Sequence, residues 1–315
     1  MTIQYEDFKN RFRKKYKHLK KWADRNNITA WRVYDRDIPQ YPFAIDIYNN
    51  HCHFQVFTKS DDPTENSPEI DACRKIVAEI TKIPIPNIRL KNRMRQAGRE
   101  QYQKLHTNRP DIIITENKRK FIVNLDQYLD TGLFLDHRNL RKIVAENARD
   151  KSILNLFSYT ASFSVYAATA GAKNTLSVDL SNTYTRWAEN NFKLNGMNPE
   201  NNILIATDAV EYLKNRANAQ DRHFDIIVLD PPSFSNSKKT PDILDIQKDH
   251  TILIQWALKC LAPGGIIYFS TNLKTFKFNP ELADTTRLTE ITTKTVPEDF
   301  KNSKPHRAWK IRPKP

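Results

Sequence analysis

The residues best placed for chemistry stand in one short run, Asp230-Pro231-Pro232-Ser233-Phe234-Ser235-Asn236-Ser237-Lys238, directly after the apolar stretch 224–229. A carboxylate leads the run, and two prolines stiffen the chain behind it. Phe234 adds an aromatic ring to the run. Asp230 is also one of a series. Other apolar stretches end in small or polar residues at Ser158, Asp179, Asp208 and Asn272. A single Asp at such a place is often only a cap or a turn residue. The repeated pattern favours a site, because ligands of an open α/β sheet sit at the carboxyl edge of the strands.

The elements that must position these residues follow from periodicity. From Ser152 onward, short apolar runs alternate with helix-period runs, which predicts parallel strands joined by crossover helices. The first strand, 153–157, enters a tight turn at Ser158-Tyr159-Thr160-Ala161. A helix begins at Ser162 and stops at Gly171. The second strand, 175–178, closes on Asp179. Ser181 caps a helix carrying Tyr184, Trp187, Phe192 and Leu194 that ends at Gly196. The third strand, 203–206, runs into Thr207-Asp208-Ala209 and a helix; the fourth is 224–229. A helix over 247–261 and the turn Pro263-Gly264-Gly265 lead to a fifth strand at 266–270. Late strands around 288–294 and 308–311 would complete the sheet.

Strand, tight turn, helix and a second strand with a terminal acid form the layout of a nucleoside-binding half-fold, with the ribose hydroxyls on the acid. No GxxxxGK[ST] occurs, which speaks against a nucleotide triphosphatase. No GxGxxG occurs either, and the turn 158–161 carries side chains where a pyrophosphate needs bare backbone. A nucleoside without phosphates fits better, and S-adenosylmethionine is the common one.

Composition sets further bounds. The 315 residues carry a formal charge of +14, and the excess is clustered. One cluster is Lys9, Arg11, Arg13, Lys14, Lys15, Lys17, Lys20 and Lys21; a second is Arg89, Lys91, Arg93, Arg95, Arg99, Lys104 and Arg109. The tail after Phe300 adds Lys301, Lys304, Arg307, Lys310, Arg312 and Lys314 without an acid. Such clusters favour a polyanionic partner. No run of about 18 apolar residues exists, so no membrane span is expected. The polar, basic N-terminus lacks the apolar core of a secretory signal. The three cysteines, Cys52, Cys73 and Cys260, lack CxxC spacing, which suits a reducing cytosol and argues against a zinc site. His51 and His53 share one strand face without a third ligand nearby and read as a surface pair, so no metal site is expected.

Residues 1–108 read as a separate basic α+β module for substrate, and 109–315 as the catalytic domain. A helix over 5–24 carries Phe8, Phe12, Tyr16, Leu19 and Trp22 on one face. A strand at 30–34, a hairpin around Asn49-Asn50, a helix over 70–80 and a strand at 88–92 follow. A second hairpin, 112–115 with 120–124, opens the catalytic domain. Asp136 reads as a candidate cap of a helix through Val144.

At this point three motifs carry a family resemblance: Tyr128-Leu129-Asp130-Thr131-Gly132-Leu133-Phe134-Leu135-Asp136-His137-Arg138, Asn155-Leu156-Phe157-Ser158-Tyr159-Thr160, and the Asp-Pro-Pro run. The chain resembles class I S-adenosylmethionine-dependent methyltransferases. More narrowly, it resembles the RlmK-type guanine-N7 methyltransferases of bacterial large-subunit ribosomal RNA, which often form the C-terminal half of a fused two-activity protein. The resemblance implies a Rossmann-like domain with a seven-stranded, mostly parallel sheet, preceded by a small α+β RNA-binding domain. It implies S-adenosyl-L-methionine as cofactor, large-subunit ribosomal RNA as partner, and a partner protein supplying the second activity of fused relatives. Phe157, Ser158, Tyr159, Thr160 and Ala161 would hold the methionine and ribose portion. Asp179 with Leu180 would take the ribose hydroxyls, Asp208 with Ala209 would meet adenine, and Asp136 and Arg138 would close the site. Asp230, Pro231, Pro232, Phe234 and Asn236 would form the target-base pocket.

One position departs from the pattern. The family usually has Gly where this chain has Ala161; if the backbone there needs φ > 0, Ala costs on the order of 1 kcal/mol. Guanine N7 is an unprotonated nucleophile, so alignment suffices and no strong base is required. Cytosine-C5 chemistry of the related RlmI type uses a Cys after the fifth strand, where this chain has Ser270-Thr271-Asn272. Two alternatives stand beside N7 transfer: methylation of an exocyclic amine, and a non-catalytic RNA-binding or assembly factor.

Overall fold

In the computed structural model, residues 5–58, 67–94, 110–128, 130–219, 222–235 and 244–314 are described. They divide into two compact units, Met1–Thr131 and Gly132–Pro315. No described helix is long and apolar enough to cross a membrane.

The first unit is a helix-covered sheet. Helix α1 (Glu6–Arg25) precedes strands β1 (Ala30–Asp35), β2 (Phe43–Tyr48) and β3 (His51–Thr58). Helix α2 (Pro68–Thr81) leads to β4 (Ile88–Met94), which pairs parallel to β3, while β1, β2 and β3 pair antiparallel. Asn49 takes φ +53° in the β2–β3 turn, and Tyr48 pairs with His51, as the Asn49-Asn50 signal predicts. The aromatic stripe of α1 is core: Phe8 and Phe12 are fully buried, Phe8 meets Tyr34, Tyr41 and Phe43, and Phe12 stacks on Phe8 and Tyr16. His53 is fully buried in the same sheet, so His51 and His53 are not the surface pair expected.

The hairpin β5 (Ile112–Glu116) and β6 (Arg119–Val123) belongs by contact to this first unit. The Thr29 amide donates to the Thr115 carbonyl at 2.9 Å, and Asn49 Nδ2 donates to the Ile113 carbonyl at 2.6 Å. The division therefore falls after Thr131. Sequence order assigns the hairpin to the second module; long-range backbone pairing assigns it to the first.

The second unit contains α3 (Arg138–Glu146), β7 (Ser152–Leu156), α4 (Ser162–Thr169), β8 (Asn174–Asp179) and α5 (Asn182–Leu194). It continues through β9 (Asn202–Ala206), α6 (Ala209–Asn218), β10 (Phe224–Leu229) and the short pair β11 (Phe234–Ser235) and β12 (Leu244–Asp245). Then come α7 (Ile246–Cys260), β13 (Leu261–Thr271), α8 (Leu282–Thr285), β14 (Thr286–Glu290), α9 (Thr292–Thr295) and β15 (Arg307–Pro313).

Its seven-stranded sheet runs β14-β15-β13-β10-β7-β8-β9. The five strands from β13 to β9 are parallel; β15 runs antiparallel to β13, and β14, antiparallel to β15, points the same way as the five. The central strands β7 and β10 are covered on both faces, which is why they read as nearly continuous apolar runs, whereas β9 at the edge buries no residue fully. Leu154, Leu156, Ile227 and Leu229 pack against α6 and α7, while Ile153, Ile226 and Val228 meet α3 and α4. From β7 the chain winds outward through β8 and β9, then returns to place β10 on the other side of β7. That reversal opens a crevice between the carboxyl ends of β7 and β10.

Candidate active site

The turn after β7 forms one wall of the crevice. Phe157, Tyr159 and Ala161 all adopt left-handed backbone, with φ of +55°, +50° and +57°. None is glycine, so the surroundings must hold the turn. The Ser158 amide donates to the Val178 carbonyl at 3.0 Å and the Tyr159 amide to Asp179 Oδ2 at 2.8 Å. Thr160 Oγ1 donates to the Gly132 carbonyl at 2.7 Å, and Asn191 Nδ2 donates to the Thr160 carbonyl at 3.1 Å. Beneath the turn, Asn155, Ser164 and Ser177 join β7, α4 and β8 through hydroxyl contacts of 3.0 and 2.7 Å. The strain expected at Ala161 is therefore present: this fully buried alanine starts α4 from the left-handed region.

Asp179 closes β8 and accepts from Tyr159 N and from Ser181 N, the latter at 2.9 Å. Burial pushes its carboxyl up to about 6 despite those two amides. A buried, disfavoured carboxylate gains from further donors, and a ribose diol supplies two. The residues therefore fit the nucleoside that the half-fold implies. Leu180, half-buried, follows.

Tyr159 sits among Phe134, Tyr184 and Trp187, with centroids at 5.2, 4.5 and 6.4 Å. Gly132 lies under Trp187 at φ +98°; a Cβ there would stand 2.2 Å from Trp187 Cζ2. Asp208 caps α6: its Oδ1 accepts from Val210 N at 2.6 Å and Glu211 N at 2.9 Å, with Ala209 buried behind it.

The other wall is a buried chain of charges. Ser270 Oγ donates to Asp230 Oδ1 at 2.5 Å. The same oxygen lies 3.5 Å from His137 Nε2, and His137 Nδ1 lies 3.3 Å from Asp136 Oδ2. Both His137 contacts are off the line of a hydrogen bond, so they act as ion pairs. The His137 ring stacks on His306 with centroids 4.4 Å apart and planes 17° apart. His306 Nδ1 lies 2.9 Å from Asp136 Oδ2 and its Nε2 lies 3.0 Å from Thr295 Oγ1.

Burial alone would push the His137 imidazole down. The carboxylates of Asp230 and Asp136 override it and hold His137 up at about 10. Burial would raise both carboxyls in turn. His137 holds Asp230 below the usual range, with help from Ser270, and His137 with His306 holds Asp136 well below it.

Asp136, His137 and His306 are also a group of metal-ligating types among the described residues. Imidazole lone pairs lie in the ring plane, and two rings stacked nearly parallel cannot aim them at one ion. The arrangement is an ion-pair network.

The crevice thus gathers the turn 157–161 with Asp179, Asp136 and Asp230. Asp136 does not cap α3, whose first turn has no side-chain cap. Arg138 does not line the crevice as an open cation: its Nη1 donates to buried Asp299 at 2.8 Å, and it is 1% exposed. Pro231 is buried, Pro232 exposed and Phe234 58% exposed. Ser233 Oγ donates to Asn272 Oδ1, and Phe234 pairs with Asp245, which ties the loop to the start of α7. Asn236 lies outside the described residues.

Sequence reasoning missed His137 and His306 as site residues. No local pattern in the sequence marks His306: its place at the carboxyl edge follows from the register of β15 on β13, with Arg307 opposite Thr271.

Residues 68–303 match the S-adenosylmethionine-dependent methyltransferase family. The chain is 52% identical over 309 residues to the ribosomal RNA large subunit methyltransferase K of Neisseria meningitidis serogroup B, covering 98% of this chain and 87% of that one. It is 46% identical over 309 residues to the ribosomal RNA large subunit methyltransferase K/L of Legionella pneumophila (strain Paris), but spans only 42% of that longer protein. The solved structure of SMU.776, described as a methyltransferase and complexed with SAH, superposes with a TM-score of 0.75 at 25% identity over 99% of this chain and 82% of that one. A seven-stranded sheet, a phosphate-free nucleoside turn and these relatives agree on the cofactor, S-adenosylmethionine. The chain belongs to the S-adenosylmethionine-dependent methyltransferases, among the ribosomal RNA large subunit methyltransferases K.

Proposed function

We propose that this protein methylates N7 of a guanine in large-subunit ribosomal RNA. The observation that carries the reading is the state of Asp230. Its Oδ1 accepts from Ser270 and faces the His137 imidazolium, so the carboxylate stays ionised and is a weak base. Guanine N7 has a free lone pair and gives up no proton on methylation. The ring instead becomes cationic, and a fixed anion beside it favours that change. S-adenosylmethionine supplies the methyl group. The names of the relatives support the RNA class.

In this reading the turn 157–161 seats the methionine and ribose portion, and Asp179 with Leu180 receives the ribose diol. Asp208 meets the adenine amine through the oxygen its cap leaves over, with Ala209 beneath. Asp136 acts by holding His137, and Arg138 is a buried strut to Asp299. In A-form RNA the N7 edge faces a deep, narrow groove that side chains do not reach. The guanine must therefore be presented unstacked; exposed Phe234 gives it a face and Pro231-Pro232 a rigid rim. Asn236 is assigned to the same rim. The first unit holds the RNA.

The test is incubation with S-adenosylmethionine and unmodified large-subunit ribosomal RNA, followed by mass spectrometry of the nucleosides. N7-methylguanine is the expected product. A methylated exocyclic amine would replace this reading with the amine one. Absence of transfer to any RNA would leave a binding factor.

A further inference from the structure

The proposed RNA substrate needs a surface, and charge clusters do not say which cations face outward. The structure sorts them within the first unit. Of the cluster at 89–109, the two cationic side chains described are turned in. Arg89 Nε lies 3.3 Å from Asp126 Oδ2, and Lys91, 7% exposed, donates to the Tyr128 carbonyl. Arg32 is likewise held by Asp46 at 2.7 Å.

Helix α1 divides its own cations. Phe8, Phe12, Leu19 and Ala23 mark its buried face. On one flank Lys9 and Arg13 reach Glu79 of α2, at 3.1 and 3.8 Å, and Lys20 pairs with Asp24 at 2.7 Å. On the other flank Arg11 and Lys15 pair with Asp37 at 2.8 and 2.9 Å. Lys14, Lys17 and Lys21 remain, together with Arg25 in the last turn, whose Nε donates to the Lys21 carbonyl. At about 3.6 residues per turn the three lysines fall within an arc of roughly 60° on the side opposite the core. All three are exposed, and no ion pair among the described residues engages them. Like charges at these spacings oppose the helix that carries them. The flanking cations are matched internally, whereas this stripe has no internal counter-charge.

We infer that the Lys14–Lys17–Lys21 stripe of α1 is a docking surface for the phosphodiester backbone of RNA. This rests on the proposed RNA substrate. Charge complementarity sets the occupant. The stripe spans about 10 Å along the helix at 1.5 Å per residue, the axial run of about three phosphates of one strand. The stripe carries no apolar side chain to enter a lipid surface, which sets it apart from a membrane-lying helix.

The test compares the full chain with two triple variants of equal charge change: Lys14→Ala/Lys17→Ala/Lys21→Ala, and Lys9→Ala/Arg13→Ala/Lys20→Ala from the matched flank. Affinity for an unmodified transcript of large-subunit ribosomal RNA is measured by fluorescence anisotropy across salt concentrations. Thermal melts and SAH calorimetry check that both variants remain folded. The stripe variant is expected to flatten the slope of log K against log salt by about 2, from three phosphates at about 0.7 each. At 0.1 M salt that is roughly a hundredfold loss of affinity. The flank variant should change the slope by less than half as much. Equal changes in both, or none in the stripe variant, overturn the assignment. So does a stripe variant that binds RNA normally but no longer binds anionic phosphatidylglycerol vesicles. If the unaltered chain binds no RNA, the substrate reading itself has failed.

Discussion

Asp179, to which the proposed function assigns the ribose diol, joins the turn after β7 to the end of β8. Both of its oxygens are used: Oδ2 receives the Tyr159 amide at 2.8 Å and Oδ1 the Ser181 amide at 2.9 Å. Burial still raises the carboxyl from 3.8 to about 6. At about 1.4 kcal/mol for each tenfold change in proton affinity, the ionised form is disfavoured by roughly 3 kcal/mol in the empty site. A ribose diol binds the ionised form, because each hydroxyl donates to a carboxylate oxygen. Affinity for SAH should therefore be flat from pH 7 to 8 and fall about tenfold per pH unit below pH 6. Binding near pH 6 should release protons. The apoprotein has the opposite sign: a raised carboxyl contributes stability below its unfolded value of 3.8, and that contribution is lost as pH rises through about 6. Asp179→Asn tests the same atoms. An amide has one acceptor for two backbone donors, so it turns an NH2 against one of them and loses the charge. The cost is on the order of 2–3 kcal/mol, or 30- to 150-fold in SAH affinity, and the pH dependence disappears. Titration calorimetry between pH 5 and 8, in buffers of differing protonation enthalpy, measures affinity and proton release together. Constant affinity from pH 5 to 8 in the unaltered chain, or unaltered binding by Asp179→Asn, would refute the assignment of the ribose to this carboxylate.

Other expectations follow from the same geometry. His137 is held up at about 10, so its contribution to stability is complete below about pH 6.5 and is lost as pH rises through about 10. Melting curves of the unaltered chain and His137→Gln should differ most near pH 6 and converge as pH rises through about 10; a constant difference would count against the ion pairs. Turnover of His137→Gln should fall tenfold or more with SAH affinity retained, since the charge acts through Asp230. Ala161→Gly relieves a left-handed alanine at φ +57° and should raise stability by up to about 1 kcal/mol, a melting shift of roughly 2 °C. No gain, with SAH binding unchanged, would mean that the anchored turn carries no strain. Phe234→Ala removes a ring that is 58% exposed and should leave melting unchanged while lowering kcat/KM by about tenfold or more; an unaltered kcat/KM would remove Phe234 from the base pocket.

The parts of this fold that are legible in the sequence are those set by local period. Strands β7 and β10 read as apolar runs because helices cover both of their faces, and the turn at 158–161 reads as phosphate-free because it lacks glycine. Ala161 stands out as an anomaly only through the family resemblance, which has Gly at that position. What escapes depends on pairing across long separations. His306 meets Asp136 only because antiparallel β15 aligns its first residue with the last of β13, and no local pattern encodes that register. The hairpin 112–123 joins the first unit through Thr29, far upstream in the chain.

Charge is the least legible property, and the reason is physical. Counting cations gives a total, but direction decides which of them meet solvent. Arg89 and Lys91 look as available in the sequence as Lys14 and Lys17, yet the strand of the first pair packs beside Asp126 and the Tyr128 carbonyl, and the helix of the second leaves them outside. On α1 the helical period does carry direction, because its apolar stripe fixes the inner face and hence the outer one. The same holds in the crevice between β7 and β10. Asp230, Asp136 and His137 sum to one negative charge, but the carboxylates flank a buried imidazolium, and that order keeps Asp230 ionised without making it a strong base. An enzyme that must remove a proton would need the reverse, a carboxylate raised toward neutrality. The pairing of Asp230 with a cation is therefore an argument for a nucleophile that arrives already unprotonated, as guanine N7 does.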